Sequence, residues 1–356
     1  AVATDQQLLL HSIDDYLGPG ETRFFSRGYQ RAGYRVHGLH ATPAGPAGSA
    51  SATSTASAAE PGVRGTLDLR YPADWSRKKD GTDLRPHLST VDALVLGVQL
   101  AELHLAHAYG LGEAERRTVR LAKVVLRAGT APQEDLTGVP LSARLRSTEP
   151  AGARYRSVHE CAVGNLRVRV ETEHPIVERA AEEARFGSLD AALGRGEYRF
   201  YGAGFKYRHH EITDVAVDNR EHGATALVRF TRRAGAPAPV DGIAAGDRPT
   251  VSLIDCFVVN LQLAQVLMYE LDGLSRADSN TLWMMQTVLT APEEEPAVEL
   301  VEGRPFTTRA ALTGRRLLPL RGGTWRNVEL SGGLAGIGMR CSFAHELPAH
   351  IAATAR

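Results

Sequence analysis

The chain has 356 residues, 43% hydrophobic and 23% charged, which is close to the globular average and excludes a wholly disordered or fibrous protein. Its 41 basic and 41 acidic side chains cancel, so no global positive field exists to hold nucleic acid or an anionic membrane. No run of about 18 uninterrupted apolar residues occurs, the first residues lack a basic start before an apolar stretch, and Cys161, Cys256 and Cys341 have no short spacing. A cytoplasmic protein without a membrane span, a disulfide framework or a zinc knuckle is expected.

In chain order, turns and strand come first, around IDDYLGPGETRFFSRGYQ. Residues 41–62, ATPAGPAGSASATSTASAAEPG, carry no apolar periodicity and read as a flexible surface loop. A long helix follows from Pro86 to Gly110, with proline in the first turn and glycine as the stop. Leu94, Val95, Leu96, Val98, Leu100, Ala101, Leu103 and Leu105 leave that helix almost no polar face, so it must be buried. TVRLAKVVL and LRVRVET then read as strands, and TALVRFT and TLWMMQTVL do so further on, either side of a second apolar helix.

The second helix repeats the first. RPHLSTVDALVLGVQLAELHLAHAYGL from Arg85 matches RPTVSLIDCFVVNLQLAQVLMYELDGL from Arg248 at a constant separation of 163 residues. The match pairs Ser89 with Ser252, Asp92 with Asp255, Gln99 with Gln262 and Gly110 with Gly273. Upstream, RFFSRGYQ from Arg23 echoes RFYGAGFK from Arg199 at a separation of 176, the longer spacing reflecting extra sequence such as the 41–62 loop. The chain is therefore two divergent copies of one unit, 1–177 and 178–356. Each is expected to be α+β, a long buried central helix wrapped by an antiparallel sheet.

LSTVDALVLG is similar to the opening of the central helix in β-hydroxyacyl carrier-protein dehydratases of the hotdog fold, and HLSTVDA to a stretch of polyketide synthase dehydratase domains. IDDYLGPGETRFFSRGYQR, LDLRYPADWS and LRPHLSTVDALVLGVQLAE together resemble the avirulence D (AvrD) family over most of the chain. HLAHAYGL is similar to the helix end of A-factor biosynthesis hotdog proteins. The resemblance implies a tandem (double) hotdog that joins a β-ketoacyl thioester to a sugar or small polyol such as xylulose, on the way to a butenolide or syringolide-type signal. It implies an acyl carrier protein or acyl-CoA as donor, with no cofactor and no metal. A hydrolase or dehydratase-like enzyme of the same fold, or a non-catalytic acyl-ligand binder, remains the alternative, and the chain can be a monomer or a homodimer.

Within that frame Asp92 and Asp255 are the catalytic candidates, each a carboxylate at a helix start able to take a hydroxyl or an activated C–H proton. Ser89-x-x-Asp92 and Ser252-x-x-Asp255 equally fit capping boxes, and the two roles can coexist. His87, opposite Thr250 in the second copy, is a further acid–base candidate. Hotdog dehydratases carry His-Phe-Pro ahead of the helix, where this chain has Arg70-Tyr71-Pro72 and Arg229-Phe230. Guanidinium stays protonated, so Arg70 and Arg229, with Arg85 and Arg248, are expected to hold substrate oxygen or phosphate rather than move protons. Ser89 and Trp75 complete the expected binding set. His104, His107 and the His209-His210-Glu211 cluster lack metal-site context, and Cys256 reads as an apolar filler. No P-loop, strand-linked GxGxxG or GxSxG is present.

Overall fold

The computed structural model describes residues 6–45, 60–74, 86–246, 248–274, 283–293 and 297–355. The first half runs β1 (Gln7–Ser12), α1 (Asp14–Leu17), β2 (Gly33–Thr42), β3 (Gly62–Arg70), α2 (Thr90–Tyr109), α3 (Glu113–Arg117), β4 (Arg120–Arg127), β5 (Val139–Ala151), β6 (Arg154–Val163) and β7 (Leu166–His174). The second runs β8 (Ala184–Phe186), α4 (Leu189–Leu193), β9 (Arg208–Asp218), β10 (Gly223–Arg232), α5 (Leu253–Asp272), β11 (Trp283–Thr290), β12 (Phe306–Leu320), β13 (Gly323–Leu334) and β14 (Ile337–Glu346). A final turn of helix, α6 (Ala349–Ala352), follows.

Both long helices start on a serine. Ser89 is extended, with ψ of 159°, and its hydroxyl accepts the Asp92 N–H. The helix therefore begins at Thr90 rather than Pro86, and the proline belongs to the extended lead-in. Ser252 caps Asp255 in the same way. At the other end Gly110 and Gly273 take left-handed φ values of 65° and 63°, where a side chain would be strained. Every residue of α2 except Thr90, Ala106 and His107 is buried, as is every residue of α5 except Gln265, Glu270 and Leu271. Each helix packs on the strands of its own half, α2 on β2 to β7 and α5 on β9 to β14. By length and composition α5 is apolar enough to cross a bilayer, yet it is buried inside the protein.

The strands form one antiparallel sheet in the order β1-β9-β10-β12-β13-β14-β11-β4-β7-β6-β5-β3-β2-β8. Read outward from its middle, the order is the same in both directions, copy for copy. The halves join where β11 pairs with β4, with Val288 opposite Val125, Thr287 opposite Leu126 and Leu289 opposite Val124. Val125 and Val288 are themselves 163 residues apart, so the approximate two-fold axis passes through the pair. The expected antiparallel α+β organisation is what the structure shows. Ala41 and Thr42 close β2 and Gly62 opens β3, while 46–59 of the expected loop lie outside the described residues.

The leading segments of the two copies are exchanged. β1 pairs with β9 of the second half, and β8 with β2 of the first. Behind β1, the buried Arg23 holds Asp14 and donates to Gln262 of α5 at 2.7 Å. Behind β8, the buried Arg199 donates to Gln99 of α2 at 2.9 Å and to Asp190 at 3.3 Å. Arg199 also lies beside buried Glu102, which pairs with Arg116 at 3.2 Å, and burial raises the Glu102 pKa against those two guanidiniums. The leading arms of the two sequence copies are thus locked into each other. Arg199→Met is expected to cost roughly 3–5 kcal/mol in urea unfolding, because it leaves Gln99 and Glu102 short of a buried partner. Asp190→Asn, on the exposed side of the same pair, is expected to cost less than about 1 kcal/mol; equal effects would contradict the lock.

Candidate active site

The head of α2 carries a carboxyl with two tyrosines. Asp92 is 0% exposed. Tyr34 from β2 donates to its Oδ1, and Tyr71, just past β3, donates to its Oδ2. Ser89 Oγ donates to the same Oδ2 at 2.6 Å, and the Ser89 N–H at 3.4 Å completes the capping box. Among the described residues a nearby cation is Lys206, from the turn 204–207 of the second half, whose Nζ lies 5.1 Å from the centre of the Tyr34 ring. Burial raises the Asp92 pKa to about 7, against the opposing pull of Tyr34, Ser89 and Lys206. Asp92 itself does not touch solvent, and both its oxygens are engaged by hydroxyls of the half-buried Tyr34 and Tyr71.

The head of α5 differs. Asp255 receives Arg208 Nη1 at 2.6 Å and the Ser252 hydroxyl and N–H at 2.9 and 2.8 Å. Arg208 also donates to the Thr250 carbonyl at 3.0 Å and stacks over Phe200 at 4.5 Å. A narrow cleft runs against this helix start, lined by Phe200, Tyr201, Arg208, Ser252 and Ile337. Its cavity volume of about 80 Å³ falls short of the roughly 300–1,000 Å³ of ligand pockets. Next to the α2 head, a smaller and mostly apolar void of about 50 Å³ lies between Phe25, Thr90, Leu261, Gln265, Met268, Met284 and Phe343. Methionine walls of this kind repack readily around an apolar guest.

The structure brings Asp92 and Ser89 together and leaves most of the expected arginines elsewhere. Arg70 is exposed at the end of β3, opposite Gly33, and Tyr71 is the residue of that motif that turns inward. Arg229 lies on β10 and donates to Thr213 at 3.2 Å, while its neighbour Phe230 points into the core. Arg248 is exposed and pairs with Glu299 at 3.1 Å. His87 is half-buried in the extended lead-in to α2. Arg85 and Trp75 lie outside the described residues. His104 bonds the Thr42 carbonyl and His159, both at 2.9 Å, and His210 bonds Gln262 at 2.8 Å; burial lowers their pKa values to about 4 and about 3. No group of three metal-ligating side chains occurs among the described residues. Cys161, Cys256 and Cys341 are all free and buried.

Tyr34, Tyr71, Lys206 and Arg208 are the site residues that sequence reading missed. Tyr71 was within reach. In LDLRY the buried Leu67 and Leu69 alternate with outward-facing positions, so strand periodicity puts Arg70 outward and Tyr71 toward the helix.

The head of α2 thus carries a buried carboxyl whose pKa burial raises to about 7, within an antiparallel α+β protein. The model of the Pseudomonas avirulence D protein (AvrD) family matches residues 8–348, and the chain belongs to that family. No curated protein matches it. Among solved structures it is similar to a tesB protein of Mycobacterium avium subs paratuberculosis, at 6% identity and a TM-score of 0.39, covering 80% of this chain and 93% of that one. A conserved protein of unknown function with hot dog fold from Alicyclobacillus acidocaldarius follows, at 9% identity and a TM-score of 0.38, covering 81% and 94%. The dehydratase domain of RzxB from Pseudomonas fluorescens is similar at 18% identity and a TM-score of 0.33, covering 79% and 94%.

The Asp92 environment has a stability signature. Folded Asp92 keeps its proton up to about pH 7, whereas an unfolded aspartate loses it near pH 4. Between those values the folded state binds the extra proton, so stability falls as pH rises, by roughly 4 kcal/mol in all. Asp92→Asn is expected to flatten this slope in urea unfolding between pH 4.5 and 7.5 and to be the more stable protein at pH 8. A slope identical to that of the wild type would show that Asp92 ionises freely.

Proposed function

We propose that this chain is a tandem hotdog enzyme, lobes 1–177 and 178–356, that transfers a β-ketoacyl group from a carrier-protein or coenzyme A thioester to a sugar or polyol hydroxyl. Ring closure to a butenolide follows. Family membership supports the substrate class, and the observation that carries the chemistry is the buried Asp92 clasped by Tyr34 and Tyr71. In this reading the acyl chain enters the apolar region between the two helices, widening the void beside Thr90. Its thioester and keto oxygens then lie by the α2 head, where the positive end of the helix favours developing negative charge.

Tyr71 meets the acceptor hydroxyl and passes its proton inward to ionised Asp92. The alkoxide attacks the thioester carbon, the C–S bond breaks, and the thiolate leaves with the proton that Asp92 returns through Tyr71, which ionises Asp92 again. The ionised relay then takes the acidic proton between the two carbonyls, the resulting enolate adds to the sugar ketone, the new alkoxide takes that proton back, and loss of water from this carbon gives the butenolide. Asp255, already neutralised by Arg208 in direct contact, holds the second helix start in place. Ser89 keeps Asp92 oriented, and His87 stands at the approach to the same helix.

Mass spectrometry of the protein incubated with a β-ketooctanoyl thioester, with and without xylulose, tests the reading. An acyl-sugar or its dehydrated lactone is the expected product. Thiol release that ignores the sugar would indicate a hydrolase, and unchanged thioester that co-purifies with the chain would indicate a binder. Tyr71→Phe is expected to lower kcat about 100-fold or more with a smaller change in KM, as loss of a proton-transfer group does.

A further inference from the structure

The two copies provide an internal control at one position. Gln30 and Lys206 are equivalents, 176 residues apart, on the turns 28–31 and 204–207 that meet across the approximate two-fold axis. Both do the same mechanical task. Gln30 Nε2 donates to the backbone carbonyl of Arg208, and Lys206 Nζ donates to that of Ala32 at 2.6 Å. Ala32 and Arg208 are equivalents as well, so the clamps are reciprocal. A neutral amide suffices for the clamp, as Gln30 shows, and the clamp alone gives no reason for a charge at residue 206.

The charge makes sense against the two carboxyls. Asp255 has Arg208 in contact, and the turn beside it carries the neutral Gln30. The residue equivalent to Arg208 in the first copy is Ala32, which cannot pair with Asp92. The groups described around Asp92 are Tyr34 from β2, Tyr71 after β3, Ser89 at the α2 cap and Lys206 from the second half. Lys206 is half-buried, and its ammonium sits over the ring of the tyrosine that donates to Asp92. Burial lowers the pKa of the amine while Asp92 opposes that effect, so the two groups feel each other without a direct bond.

We infer that Lys206 is a positioning residue for Asp92: the second half lends the first a cation that stabilises the carboxylate without neutralising it by contact. A contact pair such as Arg208–Asp255 engages its carboxylate directly. A cation held one aromatic ring away leaves Asp92 able to take and return a proton. The arrangement also makes the site composite, built from both copies and dependent on the exchanged arms that bring residues 204–207 to it.

This inference rests on the assignment of Asp92 as the proton-handling group. Infrared difference titration of the Asp92 carboxyl, read against Asp92→Asn, tests both without requiring turnover. A wild-type midpoint far from neutrality would overturn that assignment. With the midpoint near neutrality, Lys206→Gln is expected to raise it by on the order of one pH unit, since a nearby unit charge acts with about that strength in a partly buried site. Its melting temperature should stay close to that of the wild type, because the amide keeps the clamp. Lys206→Met, which loses both clamp and charge, should raise the midpoint equally and lower the melting temperature, and Lys206→Arg should restore the wild-type midpoint. Gln30→Ala should lower the melting temperature and leave the Asp92 midpoint unmoved. An unmoved midpoint in Lys206→Gln, or a shift of equal size in Gln30→Ala, would overturn the inference and reduce Lys206 to a clamp.

Discussion

A helix without a polar face cannot stand at a surface, and this protein contains two. Along α2 and α5 nearly every side chain is buried and most are apolar, so each helix needs strands around it on several sides. A single long antiparallel sheet meets that demand twice, joined at β4 and β11 about an approximate two-fold axis. The polar groups that the helices do carry follow from the same enclosure. Gln99 and Gln262 are both buried and both are satisfied by an arginine from the other copy's arm. Burial of the helices therefore demands the exchanged arms, and the arms bring the two copies' turns to the helix heads.

Duplication supplied two equivalent carboxyls, and their surroundings have since diverged. Both stand third in their helix as the carboxyl partner of a capping box, which accounts for their presence in each copy. Arg208 gives Asp255 a direct counter-ion. Tyr34 and Tyr71 give Asp92 hydrogen bonds, and the cation stands further off, so desolvation prevails and the proton is held to near neutrality. One copy thus has a contact ion pair at its helix start, and the other a buried carboxyl held by tyrosine hydroxyls. A catalytic group with a pKa near the working pH combines the right protonation state with driving force for transfer.

Much of the fold was legible because duplication writes the same physics twice. The 163-residue separation located both helices, their serine caps and their glycine stops, and alternation located β4, β7, β10 and β11. The exchange of arms was not legible, since equivalence between Arg23 and Arg199 says nothing about which copy each packs against. For the same reason Lys206 could not be connected with Asp92, although both lie in repeated segments. Asp92 and Ser89 were readable from local spacing. Tyr71 was readable from strand periodicity, but the comparison with His-Phe-Pro drew attention to Arg70, one residue early and on the opposite face. Tyr34 comes from a distant strand, and only the folded sheet shows where its hydroxyl goes.

The unequal roles of two equivalent carboxyls form the central claim, and turnover by Asp92→Asn and Asp255→Asn, normalised to folded protein, tests it most directly. Loss of product formation in a stably folded Asp92→Asn, together with turnover retained in whatever fraction of Asp255→Asn remains folded, is the expected result. Turnover retained in Asp92→Asn, or lost only in folded Asp255→Asn, would contradict the account and move the chemistry to the second helix.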